Sequence, residues 1–453
     1  MKTLKMYKQY LLTLLMVLCI PGVQVQAQPE PIHLRQLIDA LHTNHPFMGR
    51  TEIYQEQLNK EEDLLDKQWL PDVKVQGQAT WQSEVTGIDM DIAMPGVDLS
   101  IPGAPKDQYR IAMELQQTLY DGGRTRLLRN VESARYQGYT HAHEMDLHSL
   151  EQQVTALYFG GLQMAYQEKQ LDLKVSELQS RLEQLEAGVK HGVLLPSEMQ
   201  TLQAEKLKLE QQLLKTVARQ KNIHRQLSLL TGLETDTDRK FVAPELVFTK
   251  EEQWQRPVFR YLESQQAHLQ AQQQLTKAAN RPQVFGFAQA GYGNPGLNML
   301  NDGFNDFYLV GLKFSWQLWD WQKGDTQRAL LDKQRQLVAL NEKDMKLKFR
   351  QQLSEKTSEI ERLEKALQKD EEIIALRKSI YKEAAGKLRN GTLTATDYLA
   401  ELNAVADAQL GRDLRNLYLL KNKVEYLQIL GVPLSEMLVH TVEEEGRIDR
   451  NSL

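Results

Sequence analysis

Tyr120-Asp121-Gly122-Gly123-Arg124 and Trp319-Asp320-Trp321-Gln322-Lys323 stand 199 residues apart in a chain of 453. The same offset carries Gly192-Val193-Leu194 onto Gly391-Thr392-Leu393, and Leu230-Thr231-Gly232 onto Ile429-Leu430-Gly431. Three landmarks at one spacing identify a long unit copied in tandem. On either side of each Asp-containing turn the sequence changes period, from the two of a strand to the seven of supercoiled helices.

Upstream of the first turn, Tyr109, Ile111, Met113, Leu115 and Leu119 alternate with Arg110, Glu114 and Gln116. Val73 to Trp81 alternates in the same way, with a Pro/Gly/Asp-rich loop to about Asp107 between the two runs. Both read as strands with one apolar and one polar face. The second copy places strands at Val284–Tyr292 and Tyr308–Leu318, the latter with Tyr308, Val310, Leu312, Phe314, Trp316 and Leu318 on one side. Downstream of the turn, Leu150, Val154, Leu157, Gly161, Met164, Leu171, Val175, Leu178, Leu182, Leu185 and Val189 step by fours and threes. That is a heptad seam, on a helix with no proline from Arg124 to Ala187. A turn at Gly188–Pro196 reverses it into a second seam, through Met199, Leu202, Leu209, Leu213, Ile223, Leu227 and Leu230. The copy repeats this at Lys323–Lys387 and Thr394–Leu430. Ile32–Trp69 and Val258–Ala279 read as the helix preceding each hairpin.

The expected organisation is therefore residues 1–27 as a signal peptide and 28–232 as the first repeat, with its hairpin at about 72–120. Residues 233–256 form a linker, 257–432 the second repeat with its hairpin at about 283–319, and 433–453 a tail. Lys2, Lys5 and Lys8 precede a short apolar stretch, and Val25-Gln26-Ala27 offers a cleavage point. The one cysteine, Cys19, lies inside that leader, so the mature chain has no disulfide or thiolate metal site. Cleavage removes three lysines and no acid, making the mature chain more negative than the −5 of the full sequence. That balance argues against nucleic acid.

The strands match a tilted bilayer crossing in length, and later segments carry no apolar run for a membrane helix. Trp69, Trp81, Tyr120, Trp316, Trp319 and Trp321 lie in or beside the strands, as an interfacial girdle requires. Four strands cannot close in lipid, so several chains must pool them; geometry admits a dimer or a trimer.

No catalytic or cofactor constellation is present. Ala384-Ala385-Gly386-Lys387 lacks the first glycine and the hydroxyl of a phosphate loop. His141, His143 and His148 read as solvated helix surface, not as metal ligands. At the helix reversals the repeat sets Glu198 against Asp397. Asp397 has two readings there: an acid at a helix start, which suits the dipole, or one member of a ring in a symmetric assembly.

The duplicated strand–strand–long-helix–helix unit resembles the TolC-type outer-membrane efflux family. The residues that carry the likeness are Leu119-Tyr120-Asp121-Gly122-Gly123-Arg124, Leu318-Trp319-Asp320-Trp321, and Gly391-Thr392-Leu393-Thr394-Ala395-Thr396-Asp397-Tyr398-Leu399. The resemblance covers nearly all of the mature chain. It implies a mainly α protein with a membrane β-barrel portion: a homotrimer with a 12-stranded barrel on an α-helical coiled-coil tunnel in the periplasm. It implies an equatorial element from Glu234–Arg256 and the tail. It also implies a passive exit duct of a tripartite efflux pump or type I secretion system in the outer membrane of a Gram-negative cell. A periplasmic adaptor and, through it, an inner-membrane pump would be the partners. In the family an aspartate at the place of Asp397 lines an acidic ring at the periplasmic entrance, to which the repeat adds Glu198, and Ala400, with Glu401 next to it, stands where the family has a second acid. Gly192, Val193, Leu194, Gly391, Thr392 and Leu393 would form the tips that meet the adaptor. The competing reading is a periplasmic adaptor-like coiled-coil protein, which lacks two duplicated bilayer-length hairpins.

Overall fold

Asp121 and Asp320 start the two longest helices of the chain. In the computed structural model Asp121 accepts the backbone N–H of Gly123 at 2.8 Å and of Thr125 at 2.6 Å. Asp320 accepts those of Gln322 at 3.0 Å and Gly324 at 3.0 Å. Each carboxylate thus satisfies the free amides of a helix start, while the two residues after it take positive φ. In the first copy those residues are Gly122 and Gly123; in the second they are Trp321 and Gln322. The first copy needs glycine for a neighbour's sake as well, because a Cβ on Gly122 would stand 2.7 Å from the Cβ of Arg281.

The structure describes residues 30–85, 105–191, 194–236, 238–250, 253–299, 301 and 303–438. The expected leader, Cys19 and the acidic tail beyond 438 lie outside these. In chain order the elements are α1 (Leu34–Asn44), a 3-10 turn (Pro46–Gly49), α2 (Arg50–Lys67), β1 (Asp72–Trp81) and β2 (Asp107–Tyr120). They continue with α3 (Arg124–Lys190), α4 (Pro196–Thr231), α5 (Pro257–Ala278), β3 (Gln283–Asn294) and β4 (Asn305–Ser315). The last are α6 (Lys323–Arg389), α7 (Ala395–Leu430) and the single turn α8 (Leu434–Met437). Helices α3 and α6 have 67 residues each, and α4 and α7 have 36 each. Every bound of these four helices obeys the 199-residue offset read from the sequence.

Two expectations need correction. The helix expected over Ile32–Trp69 is two helices, because Pro46 forces His45 out of the helical region (ψ 133°). The His45 ring Nδ1 then accepts the Phe47 amide at 3.2 Å. The last strand ends at Ser315, so Trp316 and Leu318 follow β4 and do not belong to it.

The chain forms two compact units. The first takes residues up to 37, 157–244 and 372–417. Its heptad seams close on Leu178, Leu185, Leu202, Leu209, Leu388 and Leu402. It also holds a belt in which Ile32 pairs with Phe241. The Tyr158 hydroxyl donates to the carbonyls of Ile32 and Val242. Phe241 fills a notch over Gly161, where a Cβ would come within 2.5 Å of its ring. Heptad counting missed Tyr158 and Phe159, which are both buried. The belt covers a side of α3 that the seam leaves open.

The second unit contains the sheet, and in it Leu246 bridges Leu438 while the Val247 amide donates to the Met437 carbonyl at 2.9 Å. The linker and the C-terminal segment therefore pair with each other.

Candidate functional site

The four strands form one antiparallel sheet in the order β1-β2-β3-β4, leaving β1 and β4 as edges. Its register joins the alternating residues into rows. Val73, Leu115, Ala288 and Val310 lie side by side across all four strands, and Val75, Met113, Ala290 and Tyr308 form the next row. This face is apolar and uncovered: Tyr308 is 81% exposed, Val310 73% and Leu312 72%. An apolar face of that size is not a stable water-facing surface. A register slip between Thr118 and Tyr120 brings Tyr120 onto the apolar side along with Leu119.

The opposite face carries Lys74, Glu114 and Gln289 in one row, and Gln289 Nε2 donates to Glu114 Oε1 at 2.8 Å. Its aromatics lie over cross-strand glycines. Phe287 pairs with Gly311 and Phe307 with Gly291, and a Cβ on either glycine would collide with the ring, at 2.7 and 2.5 Å. That explains why β3 sorts its faces less cleanly in sequence: its small residues Gly286, Ala288 and Ala290 face the apolar side.

The expected girdle residues occupy the ends of this sheet. Trp81 closes β1 opposite Asp107. Tyr120, Trp319 and Trp321 are exposed at the other end, beside the strand-to-helix turns of Asp121 and Asp320. Trp316 is also exposed, and its ring N–H donates to the Asn280 carbonyl at 3.1 Å. Trp69 is half-buried just before β1, where its carbonyl accepts Gln117 Nε2.

In the first unit the helix reversals hold a different chemistry. Gly391 has φ 71°, and the Thr392 and Gly391 amides donate to the carbonyls of Lys387 and Leu388, each at 3.0 Å. This is a helix end closed by a left-handed glycine. Thr394 and Asp397 then start α7 as a reciprocal pair. The Thr394 hydroxyl donates to Asp397 Oδ2 at 2.7 Å and accepts the Asp397 amide at 3.1 Å. Glu198 reaches across from α4 and accepts the Ala395 amide at 2.5 Å. Both acids expected at an entrance therefore hold the start of α7 within one chain.

Gly192 and Val193 lie outside the described residues. Leu194 was expected to be an exposed docking residue. It is 9% exposed and packs with Leu178, Leu185 and Leu388, and Leu393 packs against the same core. The reversal does offer these apolar residues a core, because helices of both copies meet there. Leu195 takes the exposed position instead, at 66%, while Thr392 and Gly391 remain exposed.

Sequence reasoning missed the polar cluster beneath this core. Glu177 Oε1 accepts the Tyr381 hydroxyl at 2.5 Å, the Tyr398 hydroxyl at 3.0 Å and Arg181 at 2.8 Å. Burial would raise the Glu177 carboxyl, but these donors hold it below its usual range. Of its signals only Glu177 and Arg181, four apart on one helix, were local.

The reading of two of the three histidines, His143 and His148, is corrected, and His148 belongs to a second, part-buried network. His143 is 3% exposed. His148 packs against the last turn of α7, with its Nε2 3.2 Å from the Gln428 carbonyl. His42 Nε2 donates to Glu151 Oε1 at 2.6 Å, and His148 Nδ1 stands 3.6 Å from Glu151 Oε2. Burial alone would raise the Glu151 carboxyl, but its histidine partners bring it down to about 2, and the same bond raises His42.

No His/Cys/Asp/Glu group among the described residues is arranged to hold a metal ion, and no described helix is long and apolar enough to cross a membrane.

Residues 37–233 match the model of the family described as outer membrane efflux protein. No curated protein matches the chain. Solved structures do. The outer membrane protein VceC of Vibrio cholerae superposes with a TM-score of 0.64 at 14% identity, over 88% of this chain and 96% of that one. CusC, a protein studied for transmembrane channel formation, gives 0.68 at 13%, over 88% and 91%. The CmeC outer membrane channel of Campylobacter jejuni gives 0.64 at 13%, over 92% and 89%. At these identities the likeness concerns the fold.

Proposed function

We propose, from the premise that residues 37–233 belong to the outer membrane efflux protein family, that this chain is one subunit of a passive outer-membrane duct. Three copies pool their sheets into a barrel of twelve strands, and their helices form a tunnel in the periplasm. The observation that carries this reading is the sheet: a continuous uncovered apolar face between two open edges. In hydrocarbon each unpaired backbone group on an edge costs several kcal/mol, so β1 of one copy must meet β4 of another. The Trp and Tyr residues at both ends of the strands suit the headgroup levels. The duct carries out no chemistry; cargo is driven by a pump reached through an adaptor, as part of a tripartite efflux pump or a type I secretion system. Leu195, Thr392 and the neighbouring reversal residues are the surface for that adaptor. Glu198 and Asp397 line the entrance as well as holding α7.

The test is light scattering of the purified mature protein in detergent, with planar-bilayer recordings of the same sample. The expected result is a threefold mass and stable single-channel steps. A monodisperse monomer that keeps its β-signal would sink the proposal.

A further inference from the structure

A cleft of about 470 Å³ opens where the sheet meets its helices, lined by Trp69, Tyr120, Arg126, Arg129 and Arg281 together with Asp66 and Asp121. Its charges do not cancel. Asp66 is taken up by Arg129 Nη2 at 2.5 Å. Asp121 is taken up by the amides that start α3. Arg281 donates to the Gly122 carbonyl at 2.9 Å, with no carboxylate opposite it. Arg126 is exposed and, among the described residues, has no ionic partner. Arg126 and Arg281 are therefore without an acid partner, the lining carries three guanidinium groups to two carboxylates, and both carboxylates already accept hydrogen bonds.

The position adds a second constraint. Tyr120 stands at the foot of the apolar sheet face, brought there by the register slip in β2. A group seated in the cleft can thus have its polar part between arginines while an attached chain runs up the apolar face.

We propose that this cleft binds the phosphate headgroup of an anionic phospholipid, resting on the reading that the sheet sits in a membrane. The guanidinium fork matches phosphate oxygens in pairs, and the aromatic rims are amphipathic groups suited to headgroup depth. The lack of a free acid disfavours lipids that carry an ammonium group.

Native mass spectrometry of the intact assembly in non-ionic detergent tests this, with phosphatidylglycerol, phosphatidylethanolamine and inorganic phosphate as probes. The wild type is expected to retain phosphatidylglycerol over phosphatidylethanolamine. Arg126→Gln should lose about fivefold in that retention, and Arg126→Glu more. Excess inorganic phosphate should displace little. Equal retention by wild type and Arg126→Gln overturns the site, as does equal retention of the two lipids. Displacement by inorganic phosphate shows a free-anion site and overturns the lipid assignment. Bilayer conductance of the same samples separates the two readings. Absent conductance in the wild type refutes the duct, whereas normal conductance without lipid preference refutes this cleft alone.

Discussion

Met113→Arg places a charge at the centre of the apolar face. Met113 stands six residues from Asp107 and seven from Tyr120, the ends of β2. At about 3.4 Å per residue and a tilt of about 40°, it lies ~15–18 Å from either end. Its row neighbours, Val75, Ala290 and Tyr308, offer no acid to pair with arginine. The cost is then the full midplane value, about 2–4 kcal/mol per chain, or ~6–12 kcal/mol for the three copies of the proposed barrel. Gln116→Arg is the matched control: it sits three residues away on the opposite face, between Asp72 and Phe287. Tyr109→Arg, near the strand end, should cost only ~0–1 kcal/mol. The assay is the amount of heat-modifiable protein in the detergent-extractable outer-membrane fraction, beside total protein by immunoblot. Met113→Arg should deplete that fraction strongly, and the other two should leave most of it. Equal yields for Met113→Arg and Gln116→Arg would refute the assignment of faces.

Three further outcomes are expected. Glu151 titrates near 2 when folded instead of near 4.5, so its bonds stabilise the fold above pH 4.5 and are lost as pH falls towards 2; raised His42 contributes below 6.5 and its share is lost as pH rises through its folded value. Thermal melts should show both declines in the wild type and a flatter profile in Glu151→Gln; identical profiles would show that the pair contributes nothing. Gln322→Gly should stabilise the protein by about 0.5–1 kcal/mol in denaturant melts, since Gln322 holds φ 62° without the freedom that Gly123 gives the first copy; a loss of stability would contradict the strain. Asp397→Asn should weaken the Thr394 pair by about 0.5–1 kcal/mol and, if three copies form an entrance ring, lower cation preference in planar-bilayer recordings; a stability change with unaltered selectivity would leave Asp397 as a helix-start residue only.

The parts of the fold legible in sequence were those that depend on neighbours along the chain. Asp121 and Asp320, the left-handed glycines and the strand alternation all act within a few residues, so their signals survive duplication. The strand faces were right because period two fixes facing once one member is placed. Pro46 carried a local signal that the apolar periodicity around it obscured. What stayed hidden depends on distant contacts. Tyr158 meets the Val242 carbonyl 84 residues away, and Glu177 meets Tyr381 and Tyr398 at 204 and 221. Leu194 looked like an exposed turn residue because part of its core, Leu388 and Tyr398, comes from the other repeat. His148 looked solvated because the end of α7 that meets it, at Gln428, lies 280 residues later.

The two open strand edges have a genetic consequence. If several copies pool their sheets as proposed, insertion and association become one reaction, whose rate rises steeply with the supply of chains. Such a reaction also exposes good copies to bad ones. If a defective chain such as Met113→Arg were made in equal amount and mixed freely, only about one in eight threefold assemblies would be wholly normal. The variant would then behave as dominant, and the loss of function on varying its dose would report how many chains share one barrel.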